Sequence, residues 1–167
     1  MLKYEFVQID YNGLSCQKKK RKIEHDLAYS TLNCMLDDIG IEIYEILYNE
    51  NGKPYLKDED IHFSISHTDG LVAVCISDSP VGIDCEKINP SYKEKIEHFS
   101  KRYFKENEAD LIKSSDDMLL EFYKVWTTKE AYIKKHGLNG SYLKKIDTKK
   151  EAPDFHFLDN YIITILK

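Results

Sequence analysis

The sequence predicts an α/β fold made of small antiparallel sheets, each with a helix packed on it. Three observations point there. Strand, helix and strands recur in that order in each half of the chain, short alternating apolar segments are separated by turn-forming residues, and two long segments carry apolar residues at helical intervals. Residues 2–9 alternate like a strand, and Tyr11, Asn12 and Gly13 supply the turn after it. Over residues 15–39, Ile23, Leu27, Leu32, Met35, Leu36 and Ile39 recur mostly at helical spacing, with Gly40 as the stop. Residues 41–48, alternating with Glu42 and Glu45, read as a strand, and 49–54 (NENGKP) as a loop rich in breakers. Strands follow at 61–66, 71–76 and 81–85, divided by HTDG and by Ser79 with Pro80, and they read as neighbours in one antiparallel sheet.

The second half is first helical and then extended. Residues 92–99, 107–114 and 118–135 carry helical spacing, with Phe122, Val125, Trp126 and Ile133 on the buried side of the last helix and Gly137 ending it. Ile146, Phe155 with Phe157, and residues 161–166 suggest closing strands, with 149–154 as a polar connection. The halves share no sequence repeat, so a pseudo-twofold relation rests on element order alone. No low-complexity linker divides the chain, and residues 1–167 are expected to form one unit.

Composition bounds the function. The chain has 24 Lys+Arg against 29 Asp+Glu, so the molecule as a whole is no nucleic-acid magnet and an anion site must be local. The one dense basic run, Lys18 to Lys22, is either a solvated first turn of a helix or an anion contact. No apolar run approaches the roughly 20 residues of a membrane span, and the start lacks a signal-peptide stretch. Cys16, Cys34, Cys75 and Cys85 form no CxxC pair, and a reduced cytoplasm is expected.

Two segments outline a metal and phosphate site. In GIDCEKI (residues 82–88), a strand turns Asp84 and Glu86 to one face and Cys85 to the other, so two carboxylates share a small volume. In VWTTKEAYIKKHG (residues 125–137), a helix stacks Glu130 and Lys134 one turn apart, as an ordinary exposed ion pair or as a third acid beside a cation. Three carboxylates and a lysine suit a hard divalent cation that bridges phosphate oxygens. The acids follow the apolar run Val81 to Ile83, and buried carboxylates need a partner, which is either metal or lysine.

Ser66, His67 and Thr68 end a strand beside Asp69 and Gly70, where hydroxyls and backbone N–H groups can meet a phosphate. A serine hydrolase does not fit, because adjacent strand residues face opposite ways and there is no GxSxG elbow. His67 reads as an anion donor. Gly52, Lys53 and Pro54 read first as a plain turn, with a lysine charge to offer. Trp126 and the 12 tyrosines read as core and rim.

In order, GKPYL (52–56), FSISHT (63–68), VGIDCEKI (81–88) and FYKVWTTKEAYIKKHG (122–137) strongly resemble the motif series of the 4′-phosphopantetheinyl transferases of the surfactin-synthetase-activating type. The resemblance covers residues 52–140 clearly and the flanks loosely. It implies two similar lobes in pseudo-twofold arrangement, about 1–78 and 79–167, with the active site in the cleft between them. It implies that Asp84, Glu86 and Glu130 bind magnesium, with manganese as an alternative, and that the coenzyme A pyrophosphate completes the coordination. Lys134 matches a lysine that contacts phosphate and neutralises the leaving group, and Lys53, Ser66 and His67 match residues that hold the pyrophosphate and the 3′-phosphate. Glu108 matches another acid of many members.

The chain departs from the pattern in three places. Its N-terminal half is short for the two-lobed type, and Ser30 stands where an arginine for the 3′-phosphate is usual, so that the Lys18 to Lys22 run substitutes for it or adenine-end recognition is weaker. Gly137 and Gly140 are spaced one residue wider than the usual GxG.

The resemblance implies transfer of 4′-phosphopantetheine from coenzyme A to a serine of an apo acyl, peptidyl or aryl carrier protein, with Glu130 and Lys134 as catalytic residues. The enzyme is expected to be a cytoplasmic monomer without nucleic-acid or membrane partners. The rivals are a metal-dependent phosphohydrolase acting on coenzyme A with water as nucleophile, and a degenerate, non-catalytic carrier-protein or nucleotide binder.

Overall fold

Two three-stranded antiparallel sheets of identical topology organise the computed structural model, which describes residues 1–167. The first half runs β1 (Leu2–Gln8), α1 (Gln17–Asp37), a ribbon of β2 (Ile46–Tyr48) and β3 (Pro54–Leu56), then β4 (His62–Thr68) and β5 (Leu71–Ser77). The second runs β6 (Gly82–Lys87), α2 (Ile96–Tyr103), α3 (Glu106–Ser114), α4 (Met118–His136), β7 (Asp154–Leu158) and β8 (Tyr161–Leu166). Strand orders are β1-β5-β4 and β6-β8-β7. In each half a strand is followed by a long helix and then a hairpin whose second strand inserts beside the first. The pseudo-twofold relation suggested by element order is therefore present in the topology.

The layers are α1, first sheet, second sheet, α4. On β5, Val72, Val74 and Ile76 face Leu32 and Leu36 of α1, while Leu71, Ala73 and Cys75 face Ile83, Cys85, Ile163 and Ile165 of the second sheet. Ile162, on the opposite face of β8, joins Phe122 and Val125 of α4. Both β5 and β8 are buried along their whole length because each is covered on both faces. Each fully buried Leu, Ile or Val contributes about 1.5–3 kcal/mol, so this shared core joins the halves.

Several sequence expectations are corrected. The strand expected at 81–85 does not join the sheet of β4 and β5; as β6 it pairs with β8. Instead of a backbone ladder, two serines link it to β4: Ile83 N–H donates to Ser64 Oγ at 3.1 Å and Cys85 N–H to Ser66 Oγ at 3.2 Å. The strand expected over 41–48 shrinks to Ile46–Tyr48, because its partner β3 offers only three residues to pair with. Ile146 lies outside any strand and packs with Ile133 and Leu143 under the end of α4.

Two contacts fix α4. A Cβ added at Gly82 would stand 1.9 Å from the Ala131 carbonyl oxygen and 2.6 Å from the Lys135 nitrogen, so the helix lies directly on the β6 backbone. At its C-terminus, Gly137 adopts φ 61° and ends the helix. The NENGKP loop then reaches across from the first half. Asn49 and Asn51 side-chain amides donate to the Gly137 carbonyl at 3.1 and 2.8 Å, and Lys53 Nζ donates to the Lys135 carbonyl at 2.8 Å. The loop is thus a cap for another element, beyond the plain turn its composition suggests.

The close approach at Gly82 makes a direct prediction. Gly82→Ala should lower the unfolding free energy by about 1–3 kcal/mol or more, since the obstacle is backbone, whereas Gly140→Ala, whose nearest obstacle is Leu143 Cδ1 at 4.0 Å, should change little. Urea denaturation of the two variants measures this, and equal midpoints would refute the packing argument.

Candidate active site

Because Gly82 lets α4 sit on β6, the face of β6 that carries Asp84 and Glu86 meets the helix face that carries Trp126, Glu130 and Lys134. These five side chains, with Ser66 and His67 from the end of β4, line one cavity of ≈ 380 Å³. Asp84 and Glu86 share a face while Cys85 turns into the core, as strand alternation requires.

The charges inside are ordered by specific bonds. Lys134 does not pair with Glu130 as an exposed i,i+4 couple. Its Nζ donates to Asp84 Oδ1 at 2.7 Å and to Ser66 Oγ at 2.8 Å. Ser66 in turn donates its hydroxyl to Asp84 Oδ1 at 2.9 Å and accepts from Cys85 N–H, which commits the hydroxyl to this knot. Asp84 Oδ2 is buried with no partner. Glu86 accepts from Trp126 Nε1 at 3.2 Å. No three carboxylates, histidines or cysteines close around one point by themselves.

Burial pushes the Glu86 carboxyl up to about 7, helped by the Asp84 charge and opposed by Trp126 N–H and Lys134. Burial and Asp84 likewise raise Glu130, against the pull of Lys134. For Lys134, burial alone would lower the ammonium, but Asp84 chiefly, with Glu130 also contributing, more than offsets it, and its pKa lies above the usual lysine value. Two acids whose charged forms are disfavoured, beside a fixed cation, form a site that gains from a further positive charge.

A second cavity of ≈ 350 Å³ adjoins the first, sharing Ile65, His67 and Lys134. Lys53, His25 and Tyr29 line it. The Lys53 ammonium is lowered by burial and spends one donor on the end of α4. A third, of ≈ 560 Å³, shares Glu86 and Trp126 with the first and is walled by Tyr92, Phe99 and Phe122. The three form one row, with the acids in the middle.

Other expected residues fall elsewhere. Ser30 is exposed and lines none of these cavities; α1 presents Tyr29 and the exposed His25 to the second one instead. The Lys18 to Lys22 run also stays outside the row: Lys20 pairs with Asp69 at 3.2 Å and lies over the Tyr11 ring, and Lys22 pairs with Asp26. Glu108 is completely buried away from the acids. Burial alone would raise it, but Lys129 Nζ at 2.7 Å, the N–H and hydroxyl of Thr148, and Lys105 N–H hold it below its usual value. Lys129 also donates to the Leu143 and Ile146 carbonyls, so the pair binds α3, α4 and the segment after α4 into one unit. Sequence reasoning missed Trp126 as the donor to Glu86, although positions 126, 130 and 134 are successive turns of one helix face.

The arrangement defines an α/β protein of two topologically equivalent halves with an acid-and-lysine site where they meet. The family model described as the 4′-phosphopantetheinyl transferase superfamily matches residues 80–163, half of the chain. The chain belongs to that superfamily. It is 42% identical over 97 residues to the 4′-phosphopantetheinyl transferase gsp of Aneurinibacillus migulanus, covering 57% of this chain and 38% of that one. It is 42% identical over 92 residues to Sfp of Bacillus subtilis strain 168, covering 53% and 39%, and 32% identical over 118 residues to HetI of a Nostoc species, covering 65% and 49%. The chain spans about two fifths to one half of the length of these relatives.

The raised Glu86 carboxyl predicts a pH dependence. Its folded value, about 7, exceeds the ordinary 4.5, so the folded state binds this proton more tightly than the unfolded chain does. The stability it contributes is complete below the ordinary value and is lost as pH rises through about 7. In chelator-treated protein, Glu86→Gln should therefore melt close to wild type at acid pH and above it in mildly alkaline buffer. A variant that trails wild type under alkaline conditions would contradict this electrostatic account.

Proposed function

We propose that the protein transfers 4′-phosphopantetheine from coenzyme A to a serine hydroxyl of an apo carrier protein, releasing adenosine 3′,5′-bisphosphate. The observation that carries this reading is the convergence of Asp84, Glu86, Glu130 and Lys134 on one cavity that opens into a second lined by Lys53 and His67. Magnesium suits the donor set, which is hard carboxylate oxygen with one buried Asp84 oxygen left without a partner. Asp84, Glu86 and Glu130 would hold it, with phosphate oxygens filling the rest of its shell. When bound, the ion draws charge from the pyrophosphate.

The chain's own residues do the remainder. Burial and the Asp84 charge raise Glu130 against the pull of Lys134, and its raised pKa suits a general base that takes the serine proton. The serine oxygen then bonds to the phosphorus that carries pantetheine, and the phosphoanhydride bond to the nucleotide breaks. Lys134 spends two donors on Asp84 and Ser66, and its third faces the charge that collects on the departing phosphate. Lys53 and His67 bind nucleotide phosphates. Ser66 acts by holding Asp84 and Lys134, and a direct phosphate contact would cost it one of its bonds.

Residues 1–167 work as one unit whose halves meet near residue 78, as the core shared by β5, β6 and β8 suggests. No helix is long and apolar enough to cross a membrane. Four free thiols accord with a cytoplasmic, reducing setting, and both halves in one chain accord with a monomer.

Mass spectrometry of an apo carrier incubated with coenzyme A and magnesium tests the reaction: the carrier serine should gain one phosphopantetheine. Free phosphopantetheine with an unmodified carrier would mean a hydrolase instead. In single-turnover transfer, Lys134→Ala should reduce kcat and kcat/KM together by about one to three orders of magnitude. Lys134→Arg should recover little, because a planar fork cannot replace a compact ammonium held by two partners. Unchanged turnover in Lys134→Ala would remove Lys134 from the chemistry. Magnesium binding should also release protons near neutral pH and tighten as pH rises through about 7, because Glu86 must ionise to bind it. Titration calorimetry in buffers of different ionisation heat measures that release.

A further inference from the structure

We propose that Glu24 is a positioning residue for His67, fixing the imidazole so that Nε2 alone serves the bound anion; the identity of that anion rests on the coenzyme A reading above. Glu24 sits on α1 at 4% exposure, one turn before the core residue Ala28. A carboxylate buried there is tolerated only if it is paired. Both its oxygens are used. Oε1 accepts the Tyr11 hydroxyl, and Oε2 lies 3.0 Å from His67 Nδ1.

The arrangement has a direction. Tyr11 accepts the Gly70 N–H at 3.0 Å, and its hydroxyl is pushed well above the usual tyrosine value by burial and by Glu24, so it remains a donor to Glu24. An ionised carboxylate only accepts, which puts a proton on His67 Nδ1. Nε2 is then the free ring nitrogen of a side chain that lines both the acid cavity and the one beside it. The orientation matters because the neighbouring cavity has only His25, Lys53, His67 and Lys134 as basic groups.

None of these features is written in the motif FSISHT, since Glu24 and Tyr11 lie far upstream. The relay joins the loop after β1, helix α1 and the end of β4. It turns a half-exposed surface histidine, with a side chain 38% accessible, into an oriented one.

A double-mutant cycle tests the proposal, read by calorimetric titration with coenzyme A. Glu24→Gln should weaken binding by about tenfold, equivalent to about 1.4 kcal/mol. In a His67→Ala background the same change should cost nothing further, because Glu24 acts through His67. Tyr11→Phe, which leaves Glu24 in place, should give a smaller loss with the same dependence on His67. Nitrogen-15 NMR of the ligand-free protein should show His67 protonated at Nδ1 in wild type and altered in Glu24→Gln. That readout needs no ligand, so it judges the relay even if wild type fails to bind coenzyme A and the functional reading falls. Additive losses in the cycle, unchanged affinity in Glu24→Gln, or a wild-type His67 protonated only at Nε2 would each overturn the proposal.

Discussion

The site depends on how closely one helix lies on one strand. With no side chain at Gly82, the backbones of α4 and β6 meet, and the helix face bearing Trp126, Glu130 and Lys134 drops onto the strand face bearing Asp84 and Glu86. A Cβ there would lift the helix and with it two of the charges. The other supports of α4 keep it in register along the strand: Thr127 and Thr164 hydroxyls meet at 2.6 Å, and the asparagines of the first half close the helix end. Acid geometry is therefore a packing property before it is an electrostatic one.

The sequence revealed what is periodic and hid what is tertiary. Alternation on a strand correctly separates Asp84 and Glu86 from Cys85, and helical spacing correctly stacks Glu130 under Lys134. Spacing cannot say that Lys134 turns to Asp84 across the site, since both outcomes share one pattern. Nor does a run such as VGIDC show which sheet it enters; Pro80 and its neighbours announce a break, and only the cover that β8 provides decides the membership. The NENGKP breakers announce a turn, but that their amides serve a distant helix depends on where the halves dock. Ser30 and Glu108 match family positions only through the resemblance, and neither lines the cavities around the acids.

Two lysines of α4 pair with carboxylates from other elements, Lys129 with Glu108 of α3 and Lys134 with Asp84 of β6, in different environments. Lys129 and Glu108 are both completely enclosed and satisfied by backbone groups, which makes them a fastening. Lys134 is partly exposed, while Asp84 is buried with one oxygen left without a partner. Charge satisfaction separates scaffold from site here better than residue type does, because a group whose bonds are all filled by protein has nothing to offer a ligand.

The seam between β4 and β6 has a thermodynamic consequence. A backbone ladder is indifferent to what the side chains do, but here Ser66 both stitches the two strands and contacts Lys134 and Asp84. Adhesion of the halves and the charge balance around Asp84 thus draw on the same hydroxyl and are linked. Under the proposed function, an occupant that settles those charges would also tighten the join, and loosening the join would lower its affinity. The cohesion of the protein would then report its saturation.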